Sequence, residues 1–242
     1  MMLDLRTGQS LRMVVVSTGF RPMRSHLCLE SVRRQEGVEI EHRWVDADKQ
    51  APARPALQNL LELTRDLAPE DVVVSLDLDD WLARKDALAV VYEAHRDGAW
   101  VTYGSYCTAD GRPGLSAATH VGSCRAAPWT ASHLKSYRAG LLHRIRHADL
   151  QDTAGEWLRN ARDVAVMLPV LEMAGQERSA FIDQILMIYN AAESFEANNG
   201  LAGLAQEREA LAYVRGLTPY ARAEKLGPQG APFDERSTGG VS

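Results

Sequence analysis

The sequence has no hydrophobic run long enough to cross a membrane. Its longest nearly apolar stretch, residues 164–174, is interrupted by a proline and a glutamate, whereas a spanning helix needs ~20 apolar residues. The N-terminus does not combine a basic start with an apolar stretch, as a secretory signal peptide does. Three cysteines, Cys28, Cys107 and Cys124, are spaced unlike metal ligands. These absences predict a cytoplasmic protein with reduced thiols and no integral membrane segment.

Acidic residues are missing from a long middle segment. Residues 111–148 include no Asp or Glu, but they include six Lys or Arg residues and four of the seven histidines. The segment therefore has a formal charge of +6 in a chain whose net charge is −5. Segregation of this kind suggests an anionic ligand over the basic segment. A solvated basic helix face would give the same pattern, so both interpretations stay open.

The first half of the sequence alternates regularly between strand and helix patterns. With 242 residues, 45% of them apolar, the chain can form one substantial core. Short β-branched runs alternate with amphipathic segments, which is typical of an α/β fold with a Rossmann-like, mostly parallel sheet flanked by helices. Strands are predicted at 13–16, 40–45, 71–76 and 100–103, and helices at 22–32, 57–67 and 87–95.

The pattern changes in the second half. Residues 104–130 are rich in Gly, Pro, Ser and Ala, which predicts an irregular segment. The spacing of apolar residues then predicts a helical C-terminal part, with helices at 134–145, 181–189 and 201–214. The expected organisation is a lead-in at 1–12, a single domain at 13–220 and a disordered tail at 221–242.

Two of the predicted strands end in acidic residues. Asp46 and Asp48 follow the second strand, and Asp77, Asp79 and Asp80 follow the third. Ligands of open α/β sheets bind beyond the carboxyl ends of the strands. Neighbouring carboxylates repel one another, and a divalent cation offsets that repulsion directly. The pattern therefore indicates Mg²⁺ or Mn²⁺ bridging to a diphosphate, although an acidic turn that caps a helix would look similar.

Four further segments occur in a characteristic order. They are residues 14–22 (Val-Val-Val-Ser-Thr-Gly-Phe-Arg-Pro), 76–80 (Leu-Asp-Leu-Asp-Asp), 133–138 (His-Leu-Lys-Ser-Tyr-Arg), and Asp163 with 169–175 and 189–190. In this order they resemble segments of family 2 glycosyltransferases, which have the GT-A fold. The first resembles the family's nucleotide-binding loop, the second its Asp-x-Asp-Asp element and the last its acceptor-side region. The resemblance covers residues 13 to 190.

The resemblance implies roles for the acidic residues. Asp79 would bind the metal ion, supported by Asp77 and Asp80 through direct ligation or through sugar hydroxyls. An inverting displacement also needs a general base to take the proton of the acceptor hydroxyl. Asp163 is the candidate for this base, and Glu172 is the alternative.

The resemblance also implies a donor-binding set. Lys135 and Arg138, expected on one face of a helix, would contact the diphosphate or an anionic acceptor. Residues 13–103 would form the nucleotide-sugar half and 104–220 the acceptor half of one GT-A catalytic domain. The residues expected to bind the nucleotide-sugar are Thr18, Phe20, Arg21, Asp46, Asp48, Asp77, Lys135 and Arg138.

The expected function is metal-dependent, inverting transfer of a sugar from a nucleotide-sugar, with UDP as the expected nucleotide, to an acceptor hydroxyl. The acceptor could be a small molecule, a glycan, a protein or modified DNA, and the sequence does not define the oligomeric state. The family's Gln-x-x-Arg-Trp element is missing, which argues against a processive synthase. Two alternatives stay open: a haloacid-dehalogenase-like phosphatase, and a GT-A-like module that binds nucleotides without catalysis.

Overall fold

The computed structural model describes residues 11–19, 25–45, 54–191 and 200–226. These residues form a curled seven-stranded sheet flanked by helices. The strands are β1 (Met13–Ser17), β2 (Glu41–Trp44), β3 (Val72–Ser75), β4 (Trp81–Leu82), β5 (Val101–Thr108), β6 (Lys135–Arg138) and β7 (Ser179–Tyr189). The α-helices are α1 (Ser25–Arg33), α2 (Ala56–Thr64), α3 (Ala87–Arg96), α4 (Ala139–Leu142), α5 (Arg162–Ala174) and α6 (Gly200–Gly216).

The strands lie in the order β2-β1-β3-β6-β5-β7-β4. Strands β2, β1 and β3 are parallel to one another, and β5 is parallel to β7. Strand β6 lies between β3 and β5 and runs antiparallel to both, and β4 runs antiparallel to β7. The predicted α/β class, with helices flanking one sheet, is confirmed. The sheet is mixed rather than mostly parallel, because β6 and β4 run against their neighbours.

Apolar side chains cover both faces of the sheet. Val14, Val16 and Val73 pack on one face with residues of α2 and α5. Val15 and Val74 pack on the other face with residues of α1 and α3. Successive strand residues point to opposite faces, so a strand covered on both sides needs an uninterrupted apolar run. This is why the valine runs of β1 and β3 were correct strand predictions.

The prediction of a helix at 134–145 is wrong. The structure has β6 there, followed by the single turn of α4. All four residues of β6 are buried, because the strand lies in the middle of the sheet and has neighbours on both faces. A central strand of this kind lacks the alternation of apolar and polar residues that would distinguish it from a helix.

The helix predicted at 181–189 is also wrong, because these residues belong to β7, which pairs with β5. The register between the two strands shifts on either side of Ser105. Such irregularities disturb the alternation of side chains along a strand. The buried residues Ile182 and Leu186 consequently lie four positions apart, which is the spacing of a helix face.

The other predicted helices are confirmed by α1, α2, α3 and α6. Within the described ranges, no helix is long and apolar enough to span a membrane. Residues 221–226, which the sequence prediction placed in a disordered tail, pack on the end of α5, where the N–H of Ala223 donates to the Met173 carbonyl at 2.8 Å. Residues 1–10 and 227–242 lie outside the described residues, and the division into one domain at 13–220 stays a prediction.

Candidate functional site

An open pocket lies at the edge of the sheet where β1 and β3 end and β6 begins. Because β6 is antiparallel to β3, Lys135 at its start pairs with Ser75 at the end of β3. Helix α2 and the N-terminal turn of α5 form the sides of the pocket, which is open to solvent. Its lining consists of Thr18, Ser75, Asp77, Lys135, Tyr137, Arg162 and Asp163, with Ala56, Leu57, Leu60, Val166 and Met167 as the apolar wall.

The three acidic residues after β3 form one cluster. Leu76 and Leu78 are buried in the core, and they anchor the segment between the acids. Asp77, Asp79 and Asp80 each offer a carboxylate oxygen, and these oxygens lie within 4.8 Å of one another. Carboxylate oxygens are the ligands that Mg²⁺ and Mn²⁺ prefer. We call these three residues the acid cluster, and it could bind a divalent metal ion.

Asp80 is the most buried member of the acid cluster, with 1% of its surface exposed. Its Oδ1 accepts a hydrogen bond from the N–H of Asn190 at 2.8 Å. Its Oδ2 is buried and has no hydrogen-bond partner among the described residues. Burial, followed by the charges of Asp79 and Asp77, raises the pKa of Asp80 well above its usual range. A buried oxygen without a hydrogen-bond partner lowers the stability of the fold. Binding a cation would satisfy this oxygen, so Asp80 fits the role of a metal ligand.

Asp77 lies where the acid cluster meets the pocket. Burial raises the pKa of its carboxyl to about 6, and the negative charge of Asp163 acts in the same direction. The charges of Lys135 and Arg162 oppose the shift without cancelling it. Lys135 and Arg162 therefore do not offset the cost of ionising Asp77, and a divalent ion would do so.

Asp163 lies on the first turn of α5, across the pocket from the acid cluster. Its Oδ2 is 2.5 Å from Nζ of Lys135 and 3.7 Å from Nε2 of His133. Burial acts to raise the pKa of Asp163, but Lys135, with smaller contributions from His133 and Arg162, outweighs it and leaves the pKa below its usual range. The side chain is still 41% exposed, so an incoming hydroxyl can reach an ionised carboxylate.

Lys135 and Arg138 do not act together, contrary to the expectation that they share a helix face. They lie on strand β6, where residues three apart point to opposite faces. Lys135 lines the pocket. Arg138 is buried on the other side of the sheet, where it donates to the carbonyls of Glu70 at 2.6 Å and His95 at 2.8 Å. The structure therefore brings Lys135 to the candidate site and leaves Arg138 outside it.

Of the predicted nucleotide-binding loop, Thr18 lines the pocket. The remaining predicted donor contacts in the loops after β1 and β2 lie outside the described residues; they are Phe20, Arg21, Asp46 and Asp48.

Glu172, the alternative base, lies away from the pocket. Helix α5 continues through Pro169, so Glu172 is half a helical turn out of phase with Asp163. Its Oε2 is 3.0 Å from Nη2 of Arg125, and it also accepts the N–H of Tyr220 at 2.8 Å. These contacts give Glu172 a structural role, and they leave Asp163 as the candidate base that faces the pocket.

Sequence reasoning missed Arg162 and an aromatic group beside Asp163. Arg162 begins α5 and lines the pocket, and its position next to the candidate base was the available signal. The ring of His133 stacks on Tyr189 with centroids 5.5 Å apart, and Tyr106 meets it edge-on at the same distance. Burial, followed by the charge of Lys135, lowers the pKa of His133 to about 3, so this wall of the site is neutral.

The basic middle segment is largely neutralised within the fold. Most of its basic residues pair with acidic residues that lie outside residues 111–148. The composition of the segment alone could not show these partners. The contacts are Arg112 with Asp110, Arg125 with Glu172, Lys135 with Asp163 and Arg146 with Asp149, while Arg138 donates to carbonyls. The segment also forms β6 and short helical turns, so the interpretation as one long basic helix face is wrong.

The fold resembles that of TarS from S. aureus, a glycosyltransferase. The TarS crystal structure matches with a TM-score of 0.54 and 14% identity, covering 83% of this chain and 43% of that chain. The structure of TarS 1-349 matches with a TM-score of 0.53 and 15% identity, covering 84% and 70%. Its complex with UDP-GlcNAc matches with a TM-score of 0.45 and 14% identity, covering 74% and 58%.

Neither a protein-family model nor a curated protein sequence matches the chain. The chain spans less than half the length of the full TarS chain that it resembles. At identities of 14–15% the likeness concerns the fold: a mixed α/β sheet flanked by helices, as in glycosyltransferase structures.

Proposed function

We propose that this chain is a metal-dependent, inverting glycosyltransferase that moves a sugar from a nucleotide-sugar, with UDP as the nucleotide, to an acceptor hydroxyl. The observation that carries the proposal is that Asp77 of the acid cluster and Asp163 line one pocket at the ends of β1 and β3. The fold likeness to TarS supports it. TarS 1-349 has been solved in complex with UDP-GlcNAc and with UDP.

In this proposal the acid cluster holds Mn²⁺ or Mg²⁺, with Asp79 as the main ligand and Asp77 and Asp80 in support. The fit rests on the 4.8 Å grouping of the three carboxylates and on the unpartnered, buried Oδ2 of Asp80. When bound, the ion would supply positive charge beside the diphosphate of the donor.

Lys135 and Thr18 contact the donor in the pocket. An ammonium group has three N–H donors, and Asp163 occupies one of those of Lys135, so the others can reach phosphate oxygens. Phe20, Arg21, Asp46 and Asp48 remain proposed contacts of the nucleotide. Arg138 is no longer proposed, because it lies on the far side of the sheet.

The division into a donor half at 13–103 and an acceptor half at 104–220 also stays a proposal. Lys135 and Asp163, which come from the second half, reach the pocket at the end of β3.

Asp163 acts as the general base. As it takes the proton of the acceptor hydroxyl, the oxygen forms a bond to the anomeric carbon. The bond from that carbon to the diphosphate breaks at the same time, and its electron pair leaves with the diphosphate. Lys135 keeps Asp163 ionised but also makes it a weaker base. When the diphosphate draws the positive charge of Lys135 toward itself, the pKa of Asp163 rises toward the value that proton transfer needs.

The acceptor is proposed only as a hydroxyl on a small molecule, a glycan, a protein or modified DNA. An anionic acceptor is not required, because five of the six cations of the segment 111–148 already have partners. The expected compartment stays the cytoplasm, as a prediction from the sequence.

Hydrolysis of a panel of sugar nucleotides, followed by mass spectrometry with Mn²⁺ present, tests the proposal. We expect release of UDP from at least one UDP-sugar, and loss of that release with Asp79→Asn. The exposed acid Asp183 supplies the matched control, since Asp183→Asn should release UDP as the unchanged chain does. Phosphate release from sugar phosphates without UDP release would favour the phosphatase alternative. Nucleotide binding without turnover would favour the binding module.

A further inference from the structure

The pocket contains two cationic side chains, and they differ in their partners. Lys135 is 4% exposed and its Nζ is 2.5 Å from the carboxylate of Asp163. Arg162 lines the same pocket and its charge acts on Asp77 and Asp163, but its guanidinium forms no hydrogen bond or ion pair with any residue in the described part of the chain. The five N–H donors of its guanidinium are therefore available to a ligand, whereas those of Lys135 are partly occupied.

An unusual backbone turn aims Arg162 at the pocket. Ala161, directly before it, has φ 52° and ψ 24°, a left-handed conformation that is rare for residues other than glycine. The N–H of Ala161 donates to both carboxylate oxygens of Glu207, at 3.1 and 3.0 Å. Glu207 belongs to α6, so a helix distant in sequence holds the start of α5 in place; we call the contact between Ala161 and Glu207 the clamp. Left-handed backbone of this kind persists where surrounding contacts enforce it.

We infer that Arg162 binds the diphosphate of the donor and that Glu207 is the positioning residue that holds it there. The inference rests on the proposed function and adds a residue to its site. A guanidinium pairs with phosphate oxygens through two parallel hydrogen bonds. When the bond between the sugar and the diphosphate breaks, the electron pair stays on the diphosphate, and Arg162 stabilises that charge. It takes the role that the sequence assigned to Arg138.

Calorimetric titration with UDP and with uridine, both in the presence of Mn²⁺, tests Arg162. Loss of a charge-assisted contact predicts about 10- to 100-fold weaker binding of UDP by Arg162→Ala. Uridine binding should be unchanged, because uridine has no phosphate. Arg159→Ala is the matched control: Arg159 is exposed and lies three residues earlier, outside the pocket lining, and its loss should change neither titration.

A double-mutant cycle tests the clamp. Glu207→Ala alone should weaken UDP binding in the same direction as Arg162→Ala, but less. In the Arg162→Ala background, Glu207→Ala should have no further effect on UDP binding, because its influence passes through Arg162. Glu209→Ala, an exposed acid on the same helix, should leave UDP binding unchanged in both backgrounds. Circular dichroism of each variant checks that it is folded.

The outcomes separate the inference from the proposed function. If the unchanged chain binds UDP and Arg162→Ala binds it equally well, Arg162 is not a diphosphate ligand and the proposed function stands. Additive losses in the cycle would mean that Glu207 acts on general stability and would overturn its positioning role. Failure of the unchanged chain to bind UDP, with Mn²⁺ present, would overturn both the proposed function and this inference.

Discussion

The two sides of the pocket carry carboxylates in opposite electrostatic states. In the acid cluster, burial raises the pKa of Asp77 to about 6, and the charge of Asp163 adds to that shift. Burial and the charges of Asp79 and Asp77 raise the pKa of Asp80 well above its usual range. Across the pocket, the pKa of Asp163 is lowered despite burial, because Lys135 lies 2.5 Å away. We call the Asp163 side the balanced side, because Lys135 favours its ionised form, and the side of Asp77 and Asp80 the unbalanced side, because burial opposes theirs.

This difference separates two uses of acidic residues in one site. A carboxylate with a built-in partner is stable as it stands and can exchange that partner during a reaction. Carboxylates whose ionised form is opposed by burial, such as Asp77 and Asp80, make the metal-free chain less stable at neutral pH, so binding of a cation is favoured there. The unbalanced side is thus suited to a metal ion, and the balanced side to proton transfer.

The largest expected effect concerns the balanced side. Asp163→Asn should lower kcat by about 10²- to 10⁴-fold, which is the contribution of a general base. It should also destabilise the chain, because Lys135 loses its partner; Asp163 is 41% exposed, and solvent limits the cost to about 1–2 kcal/mol. Kinetics on the substrate found by the hydrolysis screen and urea unfolding measure the two effects. Undiminished kcat would remove Asp163 as the base.

Substitution of Asp77, on the unbalanced side, should change the free energy of unfolding in the opposite direction to substitution of Asp163. Asp77→Asn should lower activity by about 10²- to 10³-fold, as expected when electrostatic support of the leaving group is lost. Without metal, however, the same change should raise the free energy of unfolding at pH 7.5, because a carboxylate that is costly to ionise is replaced by a neutral amide. Urea unfolding in EDTA checks this. A destabilised Asp77→Asn variant would contradict the account of the acid cluster.

The pH dependence of stability sharpens the same contrast. The pKa of Asp77 is raised from its usual value of 3.8 to about 6. Its contribution to stability is therefore fully present below pH 3.8 and is lost as the pH rises through 6. Two pKa units correspond to about 3 kcal/mol. Unfolding of the metal-free chain between pH 4 and 7 should show this loss, and Asp77→Asn should reduce it; equal profiles would contradict the assignment.

The smallest expected effect on activity belongs to Glu172. Its side chain is 10% exposed and pairs with Arg125, which is 15% exposed. Glu172→Gln should lower the free energy of unfolding by about 1–3 kcal/mol, because the nearly buried arginine loses its ionic partner. UDP affinity and kcat should stay within about twofold, since changes away from the reacting groups affect stability first. A loss of kcat like that of Asp163→Asn would make Glu172 the base instead.

The sequence predicted the first half of the fold well, because its information is local. The valine runs of β1 and β3 lie on buried parallel strands, which leave uninterrupted apolar segments. Asp77, Asp79 and Asp80 are neighbours in the chain, so their grouping was visible directly. The α/β class and the acid cluster both followed from such local patterns.

The second half was harder, because its information is not local. Strand β6 is buried on both faces and the register of β7 shifts along its length. The spacing of apolar residues in both strands therefore resembled that of a helix, and both were predicted as helices. Three residues of separation put Lys135 and Arg138 together on a helix but apart on a strand. Arg162 gained its significance only from the clamp at Ala161, whose partner Glu207 lies 46 residues further along the chain.

Calorimetric titration of UDP into the chain, with Mn²⁺ and then with EDTA, decides whether the acid cluster and the pocket form one metal-dependent donor site. We expect UDP to bind when Mn²⁺ is present and not to bind in EDTA. The Asp79→Asn variant should not bind UDP even with Mn²⁺, whereas Asp183→Asn should bind it as the unchanged chain does. Absence of binding with Mn²⁺, or equal binding by Asp79→Asn, would contradict the claim that the acid cluster and the pocket form one metal-dependent donor site.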